Sequence, residues 1–131
     1  MKTALVTGSS RGIGRAIAIR LAMDGYKVIV HGAGNIEKAK ETAEIIKSNG
    51  GEAEIVMSNL CDLNETKALA EKIKNVDVLI LNASLQYRTP WQEITTDACY
   101  EQLNCNFVSS MMLIQAVAQN IKNKKWGRIV T

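Results

Sequence analysis

The stretch Thr7-Gly8-Ser9-Ser10-Arg11-Gly12-Ile13-Gly14 follows directly on the apolar run Ala4-Leu5-Val6, and it constrains the fold more than any other part of this chain. A short apolar run of this kind reads as a buried parallel strand, and Ile13, Ala16, Ile17 and Leu21 then recur at helical spacing. Strand, glycine loop and helix thus follow one another. A loop so placed turns free backbone N–H groups and the positive end of the helix dipole toward one point, where an anionic pyrophosphate can sit. Glycine serves three ends there: Gly8 the tight turn, Gly12 the close approach of backbone to ligand, and Gly14 the packing of helix on strand. The spacing is G-x-x-x-G-x-G. It differs from the common G-x-G-x-x-G fingerprint and from a P-loop, which ends Gly-Lys-Ser/Thr.

Apolar runs alternate with helical patterns along the whole chain. Further strands are predicted at residues 27–30, 52–57, 76–81 and from 128 to 131, and helices at about 13–24, 35–48, 63–75 and 97–122. Gly25 and the pair Gly50-Gly51 stand where helix C-caps belong, Asn35 can cap the second helix, and Asp62 with Glu65 three residues on makes a capping-box-like start for the third. Strands alternating with helices imply right-handed βαβ units, so the fold class expected is α/β, with a doubly wound parallel sheet in the order 3-2-1-4-5. The ligand is expected at the carboxyl ends of strands one and four, where that order switches direction.

The chain has 131 residues, 47% of them hydrophobic, which suits one core and a single domain over 1–131. It holds one proline, and no apolar run approaches the ~18 residues of a membrane span. A soluble cytoplasmic protein is the expectation. Cys61, Cys99 and Cys105 are odd in number, form no C-x-x-C pair and meet one histidine, so reduced thiols are expected and neither a metal site nor a disulfide. The net charge of +3 is modest. Lys122, Lys124, Lys125 and Arg128 read as a solvated helix terminus that complements the dipole, rather than as a nucleic-acid surface.

The pattern T-G-x-x-x-G-x-G resembles that of the short-chain dehydrogenase/reductase family, where it joins the first strand to the first helix. The resemblance implies a Rossmann-type NAD(P)-binding domain with cofactor contacts at Gly8, Ser10, Arg11, Gly12, Ile13 and Gly14. Asn82-Ala83-Ser84 at the end of the fourth strand is similar to the family's Asn-Asn-Ala-Gly, with Leu81 and Ser84 as departures. The Asn82 amide is expected to tie the strand end to neighbouring backbone, and Ala83 to leave room beside the cofactor ribose. Ser84 in place of glycine matters only if the position needs φ > 0. Asn59 and Leu60 stand where the family commonly has an aspartate that accepts from the adenine amino group and an apolar residue along the ring. Asparagine can still accept through its carbonyl oxygen.

Tyr100-Glu101-Gln102-Leu103-Asn104-Cys105-Asn106-Phe107 resembles the family's fourth-helix motif, in which an asparagine perturbs the helix and joins a proton relay. Asn106 is the first candidate for that catalytic role and Asn104 the second. A mid-helix amide must find a partner if it is buried. Leu103, Phe107 and Ile114 lie on one stripe of this helix, while Cys99, Met112, Leu113 and Ala116 lie off it. One stripe can cover the sheet; the other is either extra core or, as the resemblance implies, packs on a second copy, giving a homo-oligomer through the helix at about 97–122.

An NAD-preferring site usually presents a carboxylate at the end of strand two. This chain offers His31-Gly32-Ala33-Gly34-Asn35 there, and Arg11 can meet a 2′-phosphate with a charge-assisted fork, so NADP is favoured over NAD. Many relatives carry a basic residue near Gly34, and His31 is the one titratable side chain placed to compensate for its absence. The family's chemistry uses a tyrosine as general acid/base, a lysine four residues later and a serine that holds the substrate oxygen. Tyr26, Tyr87 and Tyr100 are followed four places on by Val30, Trp91 and Asn104, so this chain holds no such pair. Trp126-Gly127-Arg128-Ile129-Val130-Thr131 resembles the start of the family's fifth strand, beyond which the serine normally lies. The expectation is therefore the cofactor-binding portion of an oxidoreductase, truncated after the start of strand five and inactive alone. The full-length form would move a hydride between a nicotinamide cofactor and a carbonyl or alcohol substrate; Gln86, Tyr87 and Arg88 after strand four read as solvated loop residues, with a place at the border of the pocket as the alternative. A non-catalytic NAD(P)-binding module or interaction protein is the alternative.

Overall fold

A computed structural model describes residues 1–131. Five strands, β1 (Thr3–Val6), β2 (Lys27–Gly32), β3 (Ala53–Met57), β4 (Val78–Ile80) and β5 (Arg128–Val130), form one sheet in the order β3-β2-β1-β4-β5. Every pairing is parallel. Helices α1 (Gly12–Met23), α2 (Ile36–Ser48), α3 (Leu63–Lys72), α4 (Thr96–Leu103) and α5 (Ser109–Lys124) connect them. The predicted α/β fold and strand order are both found.

Successive side chains of a strand point to opposite faces of its sheet, and β1 shows what that does to a doubly wound fold. Leu5 joins a core with Leu69, Ile73, Leu79, Leu113 and Val117 under α3 and α5, while its neighbour Val6 joins Ala18, Val28, Val30, Ala39 and Ile46 under α1 and α2. One strand therefore feeds both cores. Burial of each such side chain stabilises the fold by about 1.5–3 kcal/mol before the entropy of ordering is subtracted.

The punctuation read from the sequence recurs with one change. Gly25 and Gly50 adopt φ of +89° and +80° after α1 and α2, and the Asn35 side chain accepts from Lys38 N at 3.2 Å. Asp62 Oδ1 accepts from Asn64 N and Glu65 N. Glu65 does not return the bond to Asp62 but reaches Asn59 N at 3.2 Å, so it ties the end of β3 to α3.

The helix expected at 97–122 is continuous but mixed. Between α4 and α5 the segment Asn104–Val108 widens into a π-helical turn, the kind of distortion that accompanies functional sites. Lys125 ends α5 in the left-handed region with φ +54°. A short 3₁₀ turn, Trp91–Glu93, precedes α4 and has no periodicity that would reveal it. The strand predicted at 76–81 shrinks to three residues because its start is taken up by a polar clamp. There the Asp77 carboxylate accepts from Thr3 N at 2.9 Å and Lys124 Nζ at 2.6 Å, and Asn120 Nδ2 donates to Val76 O at 3.0 Å. No helix is long and apolar enough to cross a membrane.

Candidate functional site

A cleft of about 600 Å³ opens at the carboxyl ends of β1, β2 and β4, the switch point of the strand order. Its floor is the loop between β1 and α1. Four of its carbonyls, those of Thr7, Gly8, Ser9 and Ser10, are tied down by side chains from elsewhere. Asn82 Nδ2 donates to Thr7 O and Gly8 O at 3.1 and 3.3 Å. Thr42 Oγ1 lies 3.0 and 3.2 Å from Ser9 O and Ser10 O, and Arg15 Nη2 donates to Ser10 O at 2.6 Å. With its carbonyls held in this way, the loop leaves the first-turn N–H groups of α1 without acceptors. Asn35, Asp62 and Thr95 cap α2, α3 and α4 with their side chains, whereas Arg11 at the start of α1 makes no cap bond. The uncapped terminus faces the cleft, where an anion would supply what a cap supplies elsewhere.

The glycines divide the work much as their spacing implies. Gly8 and Gly12 have φ of +66° and +58°, and a Cβ at Gly12 would meet nothing within 4 Å, because it would project into the cleft. Gly14 differs in detail. A Cβ there would lie 2.2 Å from Gly8 O and 2.6 Å from Asn82 Nδ2, so the close packing is of helix on loop rather than of helix on strand. These features fit a pyrophosphate held by backbone. Ile13 is 75% exposed in the first turn of α1 and lines the same cleft, an apolar surface left open where a ligand would cover it.

Ten of the residues expected at the cofactor line the cleft: Gly8, Ser10, Arg11, Gly12, Ile13, Gly14, His31, Asn82, Ala83 and Ser84. Thr7 Oγ1 accepts from Asn82 N and Ala83 N, both at 3.0 Å, which joins the ends of β1 and β4. Ser84 does not occupy positive φ, so the absence of glycine there costs nothing. Asn59 and Leu60 stand apart from the cleft lining. Asn59 Oδ1 accepts from Cys61 N at 3.0 Å in a local turn. The Leu60 side chain is 4% exposed and belongs to the core under α3 and α5, so it does not offer the apolar surface expected along a base. The core gives that side chain more apolar contact than an open cleft edge can.

Asn106 sits in the π-helical turn, also outside the cleft. Its Oδ1 accepts from Leu85 N and its Nδ2 donates to Leu85 O, each at 2.7 Å. The amide thus closes a ring with the backbone of the loop after β4. The π turn and this asparagine coincide, as the fourth-helix motif implies, although Asn106 is exposed rather than buried.

His31 departs from its expected part. It is 1% exposed, its Nδ1 accepts from Gly8 N at 2.9 Å, and its Nε2 faces Ser58 O at 2.9 Å. Burial lowers its pKa from the ordinary histidine value, against a smaller opposing effect of the Ser58 carbonyl. Both ring nitrogens are engaged, so the ring does not serve as the missing cation. Lys38 is a cation near that place. From the first turn of α2 it lines the cleft beside Gly32, Ala33, Gly34 and Asn35, with Nζ 3.4 Å from Glu41. Lys38, Arg15 and Thr42 are the residues that sequence reasoning passed over. Thr42 had one signal, a polar residue within the buried stripe Ala39, Ala43 and Ile46 of α2.

The short chain dehydrogenase family profile matches residues 2–131. A 3-oxoacyl-[acyl-carrier-protein] reductase of Staphylococcus aureus is 33% identical over 133 residues, which cover 98% of this chain and 54% of that protein. Among solved structures, a 3-oxoacyl (acyl-carrier-protein) reductase from Agrobacterium tumefaciens with NADP bound superposes with a TM-score of 0.90 at 36% identity, over 98% of this chain and 50% of that one. A metagenomic short-chain oxidoreductase in complex with NADP gives 0.91 at 29% identity, over 98% and 59%. The chain spans about half the length of the curated relatives it matches. With the glycine loop, the strand order and the π-helical asparagine in place, the chain belongs to the short chain dehydrogenase family.

Proposed function

We propose that this chain is the cofactor-binding portion of a cytoplasmic NADP(H)-dependent oxidoreductase acting on a small carbonyl or alcohol substrate. The observation that carries the cofactor choice is the charge at the end of β2. Arg11 and Lys38 line that part of the cleft, and no carboxylate does. A 2′-phosphate brings up to two negative charges that two flexible cations can meet, whereas a carboxylate there would repel it. The NADP-bound relatives support the same reading.

The cofactor, when bound, supplies or accepts the hydride. The residues of this chain hold and orient it: the amides at the start of α1 receive the pyrophosphate, Ala83 leaves space at the end of β4, and Arg11 with Lys38 selects the phosphorylated ribose. Asn106 keeps the loop after β4 in place and stands where the family's relay asparagine stands. Three free cysteines fit a reducing compartment. Tyr100, Leu103, Phe107 and Met111 form an exposed apolar stripe along α4, the π turn and α5, which supports assembly with a second copy. No observation favours a non-catalytic module over this reading.

Fluorescence titration of the chain with NADPH and NADH tests the cofactor choice. NADPH is expected to bind at least about tenfold more tightly, with Arg11→Ala and Lys38→Ala each removing much of the difference, since a charge-assisted contact contributes about 1.5–3 kcal/mol. Equal affinities, unchanged in both variants, would overturn it.

A further inference from the structure

His31 carries an inference that rests on the cofactor reading and goes beyond it. Its ring stands between two backbone groups of opposite polarity. Gly8 N–H can only donate and Ser58 C=O can only accept, so the ring must be neutral, with an acceptor at Nδ1 and a proton on Nε2. Its own backbone is tied to the same loop, since His31 N donates to Ser9 Oγ at 2.9 Å and Ser9 N donates to His31 O at 2.9 Å. Ser9 Oγ in turn donates to Val6 O at 2.7 Å. The buried imidazole therefore bridges the first turn of the glycine loop to the end of β3, immediately before Asn59.

We propose that His31 is a positioning residue for the cofactor: its neutral ring sets the Gly8 turn against the end of β3, and dinucleotide affinity falls when the ring is protonated. An imidazolium would turn an N–H toward the Gly8 N–H, so that bond would break and a buried donor would lose its acceptor. The turn that presents the α1 amides would then be free to shift. The charged groups around the ring add to the effect. Arg11 from the loop and Lys38 from α2, both basic side chains, share the cleft with His31. β1 and β4 bring no titratable side chain. On the β3 side Glu65 is engaged with Asn59 N and Glu54 with Lys27, so no carboxylate is bonded to the ring to stabilise its charge. Burial acts in the same direction and lowers the ring's pKa.

The test uses NADH rather than NADPH, because a phosphate monoester itself titrates near pH ~6 and would obscure the profile. Wild-type affinity is expected to be flat near neutrality and to fall by about tenfold for each pH unit below the titration of the ring. His31→Asn, whose carbonyl oxygen can replace the Nδ1 acceptor and does not titrate, should bind within a few-fold of wild type with a flat profile. His31→Leu should bind about tenfold more weakly at every pH, because the Gly8 amide loses its acceptor. Circular dichroism checks that both variants are folded. As the chain has one histidine, ring nitrogen NMR reads the tautomer without assignment: Nε2–H with bare Nδ1 at neutral pH is expected. An imidazolium or the opposite tautomer, superposable wild-type and His31→Asn profiles, or a folded His31→Leu that binds like wild type would each overturn the assignment. Wild type that binds neither dinucleotide at neutral pH would overturn the cofactor reading and this inference with it.

Discussion

β1 and β5 belong to one parallel sheet and sit in opposite conditions. Ala4, Leu5 and Val6 of β1 are 0% exposed, paired on both sides and covered on both faces. β5 pairs only with β4, and its Ile129 and Val130 are 39% and 48% exposed. The cleft lies at the end of the first strand, not the second. A loop that must hold four carbonyls and two positive-φ glycines in one arrangement needs rigid support, and the most enclosed strand of the sheet provides it. The β4–β5 side instead keeps apolar surface open, on β5 itself and along Leu103, Phe107 and Met111.

Truncating a side chain on each side gives the largest expected contrast. Leu5→Ala should cost about 2–5 kcal/mol in denaturant unfolding, while Ile129→Ala should cost no more than about 1 kcal/mol. Equal costs would break the comparison. Within the loop itself, Gly14→Ala should destabilise by about 1–3 kcal/mol through its collision with Gly8 O. Gly12→Val should abolish dinucleotide binding, because its side chain would enter open cleft and because a β-branched residue is strained at the Gly12 φ of +58°, with circular dichroism checking that the chain stays folded. A Gly12→Val chain that binds normally would mean that the cleft is not the cradle.

The open side should respond through association rather than stability. Phe107→Asp, at a position 62% exposed, should shift light-scattering mass toward monomer and change unfolding by no more than about 0.5 kcal/mol. A small, pH-dependent effect is expected at the Asp77 clamp. Burial alone would raise the Asp77 pKa, but Lys124, the Thr3 amide and Asn120 outweigh it and hold the carboxyl below its usual value. A depressed carboxyl pKa adds stability that is present above the ordinary range near ~4 and is lost as pH falls through the folded value. Lys124 is half exposed, so Lys124→Ala should cost at most about 1 kcal/mol at neutral pH and flatten that acid loss.

The difference between local and distant contacts also decides what was legible in the sequence. Gly8, Gly12 and Gly14 declare themselves through their spacing in one short loop, where Gly8 and Gly12 take positive φ and Gly14 packs on Gly8 O. The strand order follows from alternation, since right-handed crossovers leave few arrangements. The partners of His31 are not legible, because Gly8 and Ser58 lie 23 and 27 residues away and leave no periodic trace. Lys38 was passed over because a lysine in the first turn of an amphipathic helix looks like any solvated cation until α2 is seen to border the cleft. The π turn shifts the helix phase, so Leu103 and Phe107 stay exposed while Ile114 packs against the core; the apolar spacing alone does not show this, and only the family motif marked Asn106.

The central claim is that the amides at the start of α1 receive a dinucleotide phosphate beside the ends of β2 and β4. Backbone NMR of the isotopically labelled chain titrated with NADPH reads it directly. Saturable shifts are expected at Ser10–Gly14, Gly32–Asn35 and Asn82–Ser84, with the amides of Lys122–Arg128 unmoved. Saturable shifts confined to α5 and β5, or none at the α1 start while NADPH binds, would contradict the account.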